Sequence, residues 1–242
     1  IEKAKQRLKY EEAFYIQLKL ISKQPIQAMR PPKAYHIHKV KAFSDELPYE
    51  LTQDQKRAVN DIYRDFKKKH SSYRLIQGDV GSGKTIVALL GAYAIITAHE
   101  QVAIMAPTEL LARQHYQFFK TYLKDCHIAL LTRKTKDKDQ LKEDIKNHNI
   151  DLVIGTHALI EKDVLFNKLG LIIIDEQHKF GVGTRASLLE KAKTKDVIYL
   201  TATPIPRTLA MIAFGNQHVS IIKTKPEHRL PIQTRYITKN TI

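Results

Sequence analysis

The chain has 242 residues, 43% of them hydrophobic and 27% charged, enough for one large α/β domain with a substantial core plus an extension. Its single cysteine, Cys126, excludes an internal disulfide and fits a reducing cytoplasm, and no apolar run approaches the roughly 18 residues of a membrane span. A net charge of +15 suits either a polyanion held through its phosphates or a surface of solvated lysines, and charge alone does not choose between them.

No signal peptide opens the chain, and Ile1 in place of methionine is what a fragment would show. Residues 2–23 read as one helix, with apolar positions at Leu8, Ala13, Phe14, Ile16, Leu18, Leu20 and Ile21. Pro25 and the pair Pro31-Pro32 break it, so residues 24–48 read as an extended connector. From Thr52 onward, helices alternate with short β-branched strands, the pattern of a mainly parallel sheet flanked by helices. The expected strands are 74–78, 102–106, 128–132, 151–155, 170–175, 197–201 and 218–223. The expected helices are 53–69, 84–98, 109–124, 137–148, 184–192 and 205–213. Three units follow: a helix and connector at 1–48, an α/β domain at 49–226, and a linker at 227–242. The basic runs Lys67-Lys68-Lys69 and Arg133-Lys134-Thr135-Lys136 read as solvated faces.

Gly78-Asp79-Val80-Gly81-Ser82-Gly83-Lys84-Thr85 fits the phosphate-binding pattern G-x-x-x-x-G-K-[ST] at every fixed position. It lies between a short apolar strand and the apolar helix start Ile86-Val87-Ala88, the context the motif needs. The glycines let backbone N–H groups close on phosphate oxygens, and the helix N-terminus adds a positive dipole end. Lys84 would reach the β- and γ-phosphates and the Thr85 hydroxyl would ligate Mg²⁺. The expected ligand is therefore a nucleoside triphosphate with its metal.

A phosphate loop does not name a reaction. The buried run Leu171-Ile172-Ile173-Ile174 delivers Asp175 and Glu176 at its C-terminal end, where α/β folds place their ligands. Asp175 can hold Mg²⁺ and Glu176 can take the proton of an attacking water. A single carboxylate would suit a GTPase or a kinase equally; the pair favours an ATPase. The histidines elsewhere lack metal-ligand spacing, so no zinc site is expected.

Three further blocks each begin just after an expected strand: Ala106-Pro107-Thr108-Glu109-Leu110, Gly155-Thr156-His157-Ala158-Leu159 and Thr201-Ala202-Thr203-Pro204-Ile205-Pro206-Arg207-Thr208. Together with Asp175-Glu176-Gln177-His178, their order resembles superfamily 2 helicases. Within that group the chain resembles the RecG family of branched-DNA translocases, over about residues 43–237. Transcription-repair coupling factors share the Thr201–Thr208 block, but Gln177 leans towards RecG.

The resemblance implies a RecA-like lobe that binds ATP and Mg²⁺ and contacts branched DNA, in recombination and repair. It implies that Gln55 reads adenine; as it stands, Thr52-x-x-Gln55 is also a capping box, and both roles can coexist. It implies that Pro107, Thr108, Glu109, Thr156 and His157 grip one DNA strand, whereas plain helix capping is the alternative at these strand ends. It implies that Gln177, His178, Thr201 and Thr203 couple the γ-phosphate to the DNA surface. A second RecA-like lobe with an arginine finger and a DNA-reading wedge domain belong to such motors. Nothing after Thr203 resembles that second lobe, so this piece is expected to bind nucleotide and turn it over very slowly. A binding module gated by nucleotide, without turnover, is the rival, and the intact Lys84, Asp175 and Glu176 argue against it.

Overall fold

The computed structural model describes residues 2–22, 28–176, 179–180, 184, 187, 190–191, 195–203 and 218–224. Among the described residues seven strands form one sheet: β1 (Tyr73–Gly78), β2 (Gln101–Met105), β3 (Ile128–Leu131), β4 (Leu152–Gly155), β5 (Leu169–Asp175), β6 (Asp196–Thr201) and β7 (His218–Ile222). Their order across the sheet is β3-β4-β2-β5-β6-β1-β7, and every neighbouring pair is parallel. Strands buried on both faces need continuous apolar runs rather than alternation. β2, β5 and β6 are accordingly buried at every residue, while the edge strands β3 and β7 expose some of theirs.

The helices are α1 (Glu2–Ser22), α2 (Ile37–Asp45), α3 (Gln53–Phe66), α4 (Lys84–Thr97), α5 (Glu109–Tyr122) and α6 (Lys138–Lys146). One core cluster packs α3, α4 and α5 on one face of the sheet through Ile62, Leu89 and Phe119. The other face is covered by Ile145 of α6, Leu159, Val164 and Phe180. α4 is buried around nearly its whole circumference, as a helix apolar on all sides must be. Among the described residues no helix is long and apolar enough to cross a membrane.

The expected strands and the helices from 53 to 148 appear within a few residues of their predicted bounds. Residues 184, 187, 190 and 191 are helical, whereas the helix expected at 205–213 lies outside the described residues. The connector departs from expectation. Residues 37–45 form helix α2 instead of extended chain, because Val40 and Phe43 supply an apolar face that packs on α4. The Phe43 ring lies 4.4 Å from that of Tyr93, centroid to centroid. The prolines that suggested extension end at Pro32, before the helix begins.

The connector is clamped to the edge of the sheet where β6 begins. The Arg30 guanidinium meets the Asp196 carboxylate at 2.7 Å, with both side chains buried. It also donates to the carbonyl oxygens of Asp65 (3.1 Å), Phe66 (3.3 Å) and Lys68 (3.0 Å) at the end of α3. Lys33 pairs with Glu100 beside it.

Candidate functional site

The strand order places the sequence blocks side by side along the C-terminal edge of the sheet. Taken across it, β4 ends at Thr156-His157, β2 at Pro107-Thr108, β5 at Asp175-Glu176, β6 at Thr201-Ala202-Thr203, and β1 at the phosphate loop. Blocks far apart in the chain thus become neighbours in one row. The β2–β5 pairing divides that row, with Met105 opposite Ile174.

The phosphate loop has the backbone its glycines permit. Gly81 and Gly83 have φ of 75° and 82°, a region that side chains rarely enter. A Cβ at Gly83 would lie 2.2 Å from Gln55 Nε2, so the turn also needs the space. Lys84 opens α4 and its ammonium donates to the carbonyls of Gly78 (2.7 Å) and Asp79 (3.0 Å). Burial pushes the Lys84 ammonium below its ordinary value, against the pull of the Glu176, Asp175 and Asp79 carboxylates. Asp79, Val80 and Gly81 are exposed, Ser82 is buried, and Thr85 is half-buried in the first turn of α4.

Gln55 braces this loop. Its Oε1 accepts from the Thr52 N–H (2.9 Å), its own N–H donates to Thr52 Oγ1 (3.3 Å), and its Nε2 donates to the Ser82 carbonyl (2.8 Å). The capping box is therefore present, and the same amide ties α3 to the phosphate loop. One residue earlier, Asp54 Oδ2 accepts from the N–H groups of Thr224 and Lys223, each at 2.9 Å. Those bonds, Thr224 foremost, hold the Asp54 carboxyl down at about 2 despite its burial.

Asp175 ends β5, and the chain turns at Glu176 with φ +49°, a left-handed conformation uncommon for a residue with a side chain. That turn aims the Glu176 carboxylate at the end of β6. Its Oε1 accepts from the Ala202 N–H (3.1 Å) and its Oε2 from the Thr201 hydroxyl (3.4 Å). The Thr201 and Thr203 hydroxyls are 2.8 Å apart. Lys84, Asp175, Glu176, Thr201 and Thr203 thus form one cluster of interacting groups. Gln177 and His178 lie outside the described residues.

On the other half of the row, Thr108 caps α5, its Oγ1 accepting from the Leu111 N–H (3.3 Å). Glu109 pairs with Arg113 at 2.8 Å, and that bond holds its carboxyl below the usual range. Pro107 and Thr156 are half-buried and His157 is exposed. Thr156 precedes the short 3-10 helix His157–Ile160 and makes no side-chain cap. Capping at Thr108 is hence real, and a ligand role there would have to share the helix end with it.

Three residues of the site escaped sequence reasoning. The His115 imidazole Nε2 lies 2.8 Å from Asp175 Oδ2, and both residues are buried. The Phe180 ring stands edge-on to His157 at 5.6 Å. The Lys191 ammonium donates to the carbonyls of Leu159, Glu161 and Val164 at 2.7–3.0 Å, fastening the segment after His157. A visible signal existed for His115 alone: with Ala112 and Phe119 it falls on the apolar stripe of an amphipathic helix.

A parallel sheet whose edge carries a phosphate loop beside an Asp-Glu pair and a Thr-Ala-Thr strand end is arranged as in helicase motor domains. The chain belongs to the DEAD/DEAH box helicase family, whose description its residues 52–212 match. Among individual proteins it is similar to the ATP-dependent DNA helicase RecG of Streptococcus pneumoniae serotype 4, 47% identical over 241 residues, covering 98% of this chain and 36% of that one. It is also similar to the RecG helicase of Staphylococcus epidermidis, 52% identical over 205 residues, covering 84% and 30% respectively. The chain thus spans about a third of the length of these relatives. A solved structure of RecG bound to a three-way DNA junction superposes with a TM-score of 0.84 at 41% identity, over 96% of this chain and 32% of that one. The helicase domain of Pyrococcus furiosus Hef shares the fold, with a TM-score of 0.53 at 22% identity over 70% of this chain and 37% of that one.

Proposed function

We propose that these residues form the first motor lobe of a RecG-type, ATP-dependent DNA helicase that acts on branched DNA in recombination and repair. The observation that carries this is the order of the sheet edge, which sets a nucleotide half (β5, β6, β1) against a second half (β4, β2). The similarity to RecG helicases favours that family over a coupling factor.

The residues present fit a Mg²⁺-nucleotide: a glycine loop at positive φ, a lysine folded over it, and carboxylates close enough to act on that lysine. The loop N–H groups from Gly78 to Thr85 and the Lys84 ammonium hold the phosphates. Thr85 and Asp175 would hold Mg²⁺, which supplies charge neutralisation on the β/γ-phosphates. Glu176 accepts the proton of the attacking water, and its bonds to Ala202 and Thr201 link that event to the end of β6. Gln177 and His178 join the same coupling. An amide has two hydrogens and two lone pairs, so Gln55 can brace the loop and still read adenine.

Pro107, Thr108, Glu109, Thr156 and His157 face a DNA strand, met through its phosphates. The parent protein works in the cytoplasm, with a wedge domain that selects the branch and a second RecA-like lobe that closes on the nucleotide. An arginine from that lobe is worth about 10³–10⁵ in rate in NTPases generally.

Steady-state phosphate release tests this. A chain that includes the second lobe should hydrolyse ATP far faster than residues 1–242, and branched DNA should stimulate it because lobe closure completes the site. Rapid DNA-stimulated turnover by residues 1–242 alone would overturn the need for a second lobe.

A further inference from the structure

The β2–β5 boundary divides the two halves of the edge, and a buried bond between two side chains crosses it. Helix α5 follows β2 and carries the Thr108 cap at its start. Two turns along, His115 reaches under the edge to Asp175 at the end of β5, with 2.8 Å between Nε2 and Oδ2. A carboxylate oxygen only accepts, so Nε2 carries the hydrogen of this bond.

His115 is the one polar residue among the buried residues of α5, lying between Ala112 and Phe119 on the inward face. An imidazole costs free energy in such a place unless it is hydrogen-bonded, and an apolar side chain would cover the sheet without that cost. The partner it finds is Asp175, itself only 9% exposed. The bond engages one of the two carboxylate oxygens and so fixes the plane of the group.

We propose that His115 is a positioning residue for the Mg²⁺ site: it orients the Asp175 carboxylate towards the metal and anchors it to α5. This rests on the proposed role of Asp175 as a holder of Mg²⁺. Hydrogen-bonding partners of this kind change metal affinity by about 10–100-fold when removed.

Two conservative substitutions separate positioning from bulk. In His115→Gln the amide nitrogen falls about where imidazole Nε2 stands, so the donor to Asp175 is kept. In His115→Asn the amide nitrogen falls near the Nδ1 position and cannot reach. The measurement is binding of a fluorescent ADP analogue to the 242-residue chain as Mg²⁺ is titrated, with Mn²⁺ binding read separately by paramagnetic resonance. His115→Asn should need about 10–100-fold more metal for half-saturation, with nucleotide affinity in chelator unchanged, and His115→Gln should lie close to the parent. Equal metal dependence in parent and His115→Asn, or an equal loss in both variants, would overturn the proposal. His115→Phe, which keeps a ring of similar size without a donor, gives the same reading should the asparagine variant fold poorly. Asp175→Asn tells the two levels apart: a metal dependence unchanged by that substitution overturns the role of Asp175 itself, and the His115 proposal with it.

Discussion

Replacing Arg30 by methionine keeps most of the side-chain stem and removes the guanidinium that clamps the connector to the sheet. Asp196 is then left 2% exposed without its cation, and the Asp65, Phe66 and Lys68 carbonyls each lose a donor. Removing one partner of a buried pair costs about 3–5 kcal/mol, and each kcal/mol moves Tm by about 2–4 °C in a domain of this size, so a fall of about 6–20 °C is expected. Asp196→Asn in the same background removes the orphaned charge yet keeps an acceptor for the Ser72 N–H, bonded at 2.8 Å. The two changes should therefore couple by about 0.5–3 kcal/mol.

Burial pushes the Asp196 carboxyl up, against the pull of Arg30 and Lys33. A folded value above the unfolded one means that the protonated group favours the fold. That contribution is complete below the usual carboxyl range and fades as pH rises through the folded value. Losing Arg30 moves that value higher, so the deficit of Arg30→Met should be greatest at neutral pH and shrink as pH falls through the raised value. Thermal denaturation at several pH values, for both single variants and the double, measures all of this. A Tm within 1–2 °C of the parent, about what a surface substitution gives, or strict additivity in the double variant, would refute the clamp.

Gly83→Ala should abolish nucleotide binding and cost about 1–2 kcal/mol by denaturant unfolding, because φ is +82° and the new Cβ would meet Gln55 Nε2; binding like the parent would mean that the loop relaxes freely. Gln55→Ala should lower ATP affinity more than GTP affinity, and unchanged discrimination in competition binding would leave Gln55 as a cap and brace only. Asp54→Asn should destabilise the chain at neutral pH through the lost charge at the Thr224 and Lys223 N–H groups. Since the Asp54 carboxyl sits at about 2, below its ordinary 3.8, that stabilisation holds above pH 4 and disappears as pH falls through 2. A Tm difference between parent and Asp54→Asn that stays constant from pH 7 to pH 2 would contradict it.

The strands were legible because each strand of a buried parallel sheet is a contiguous apolar run between turn residues, as in Leu171-Ile172-Ile173-Ile174. The phosphate loop and the Asp175-Glu176 pair were legible because their chemistry depends on residues adjacent in the chain. Helix α2 was obscured by Pro31-Pro32, whose restriction reaches only their immediate neighbours, while Val40 and Phe43 declared an apolar face just beyond. The row of motifs along the edge follows from the β3-β4-β2-β5-β6-β1-β7 order, which pairing between distant strands determines. For the same reason neither the His115–Asp175 bond nor the Arg30–Asp196 pair could be read from spacing: their partners are 60 and 166 residues apart. The left-handed turn at Glu176 had no signal either, since no glycine or asparagine marks it.

The most direct test of a Mg²⁺-ATP site at the β5-β6-β1 half of the edge is an equilibrium binding isotherm for labelled ATP, with and without Mg²⁺, on the parent chain and on Lys84→Ala. Saturable, Mg²⁺-dependent binding by the parent that is lost in folded Lys84→Ala is the predicted result, since the ammonium now resting on the Gly78 and Asp79 carbonyls is the loop's own cation. Binding of ATP by Lys84→Ala with the parent's affinity, or no binding by the parent in Mg²⁺, would contradict it.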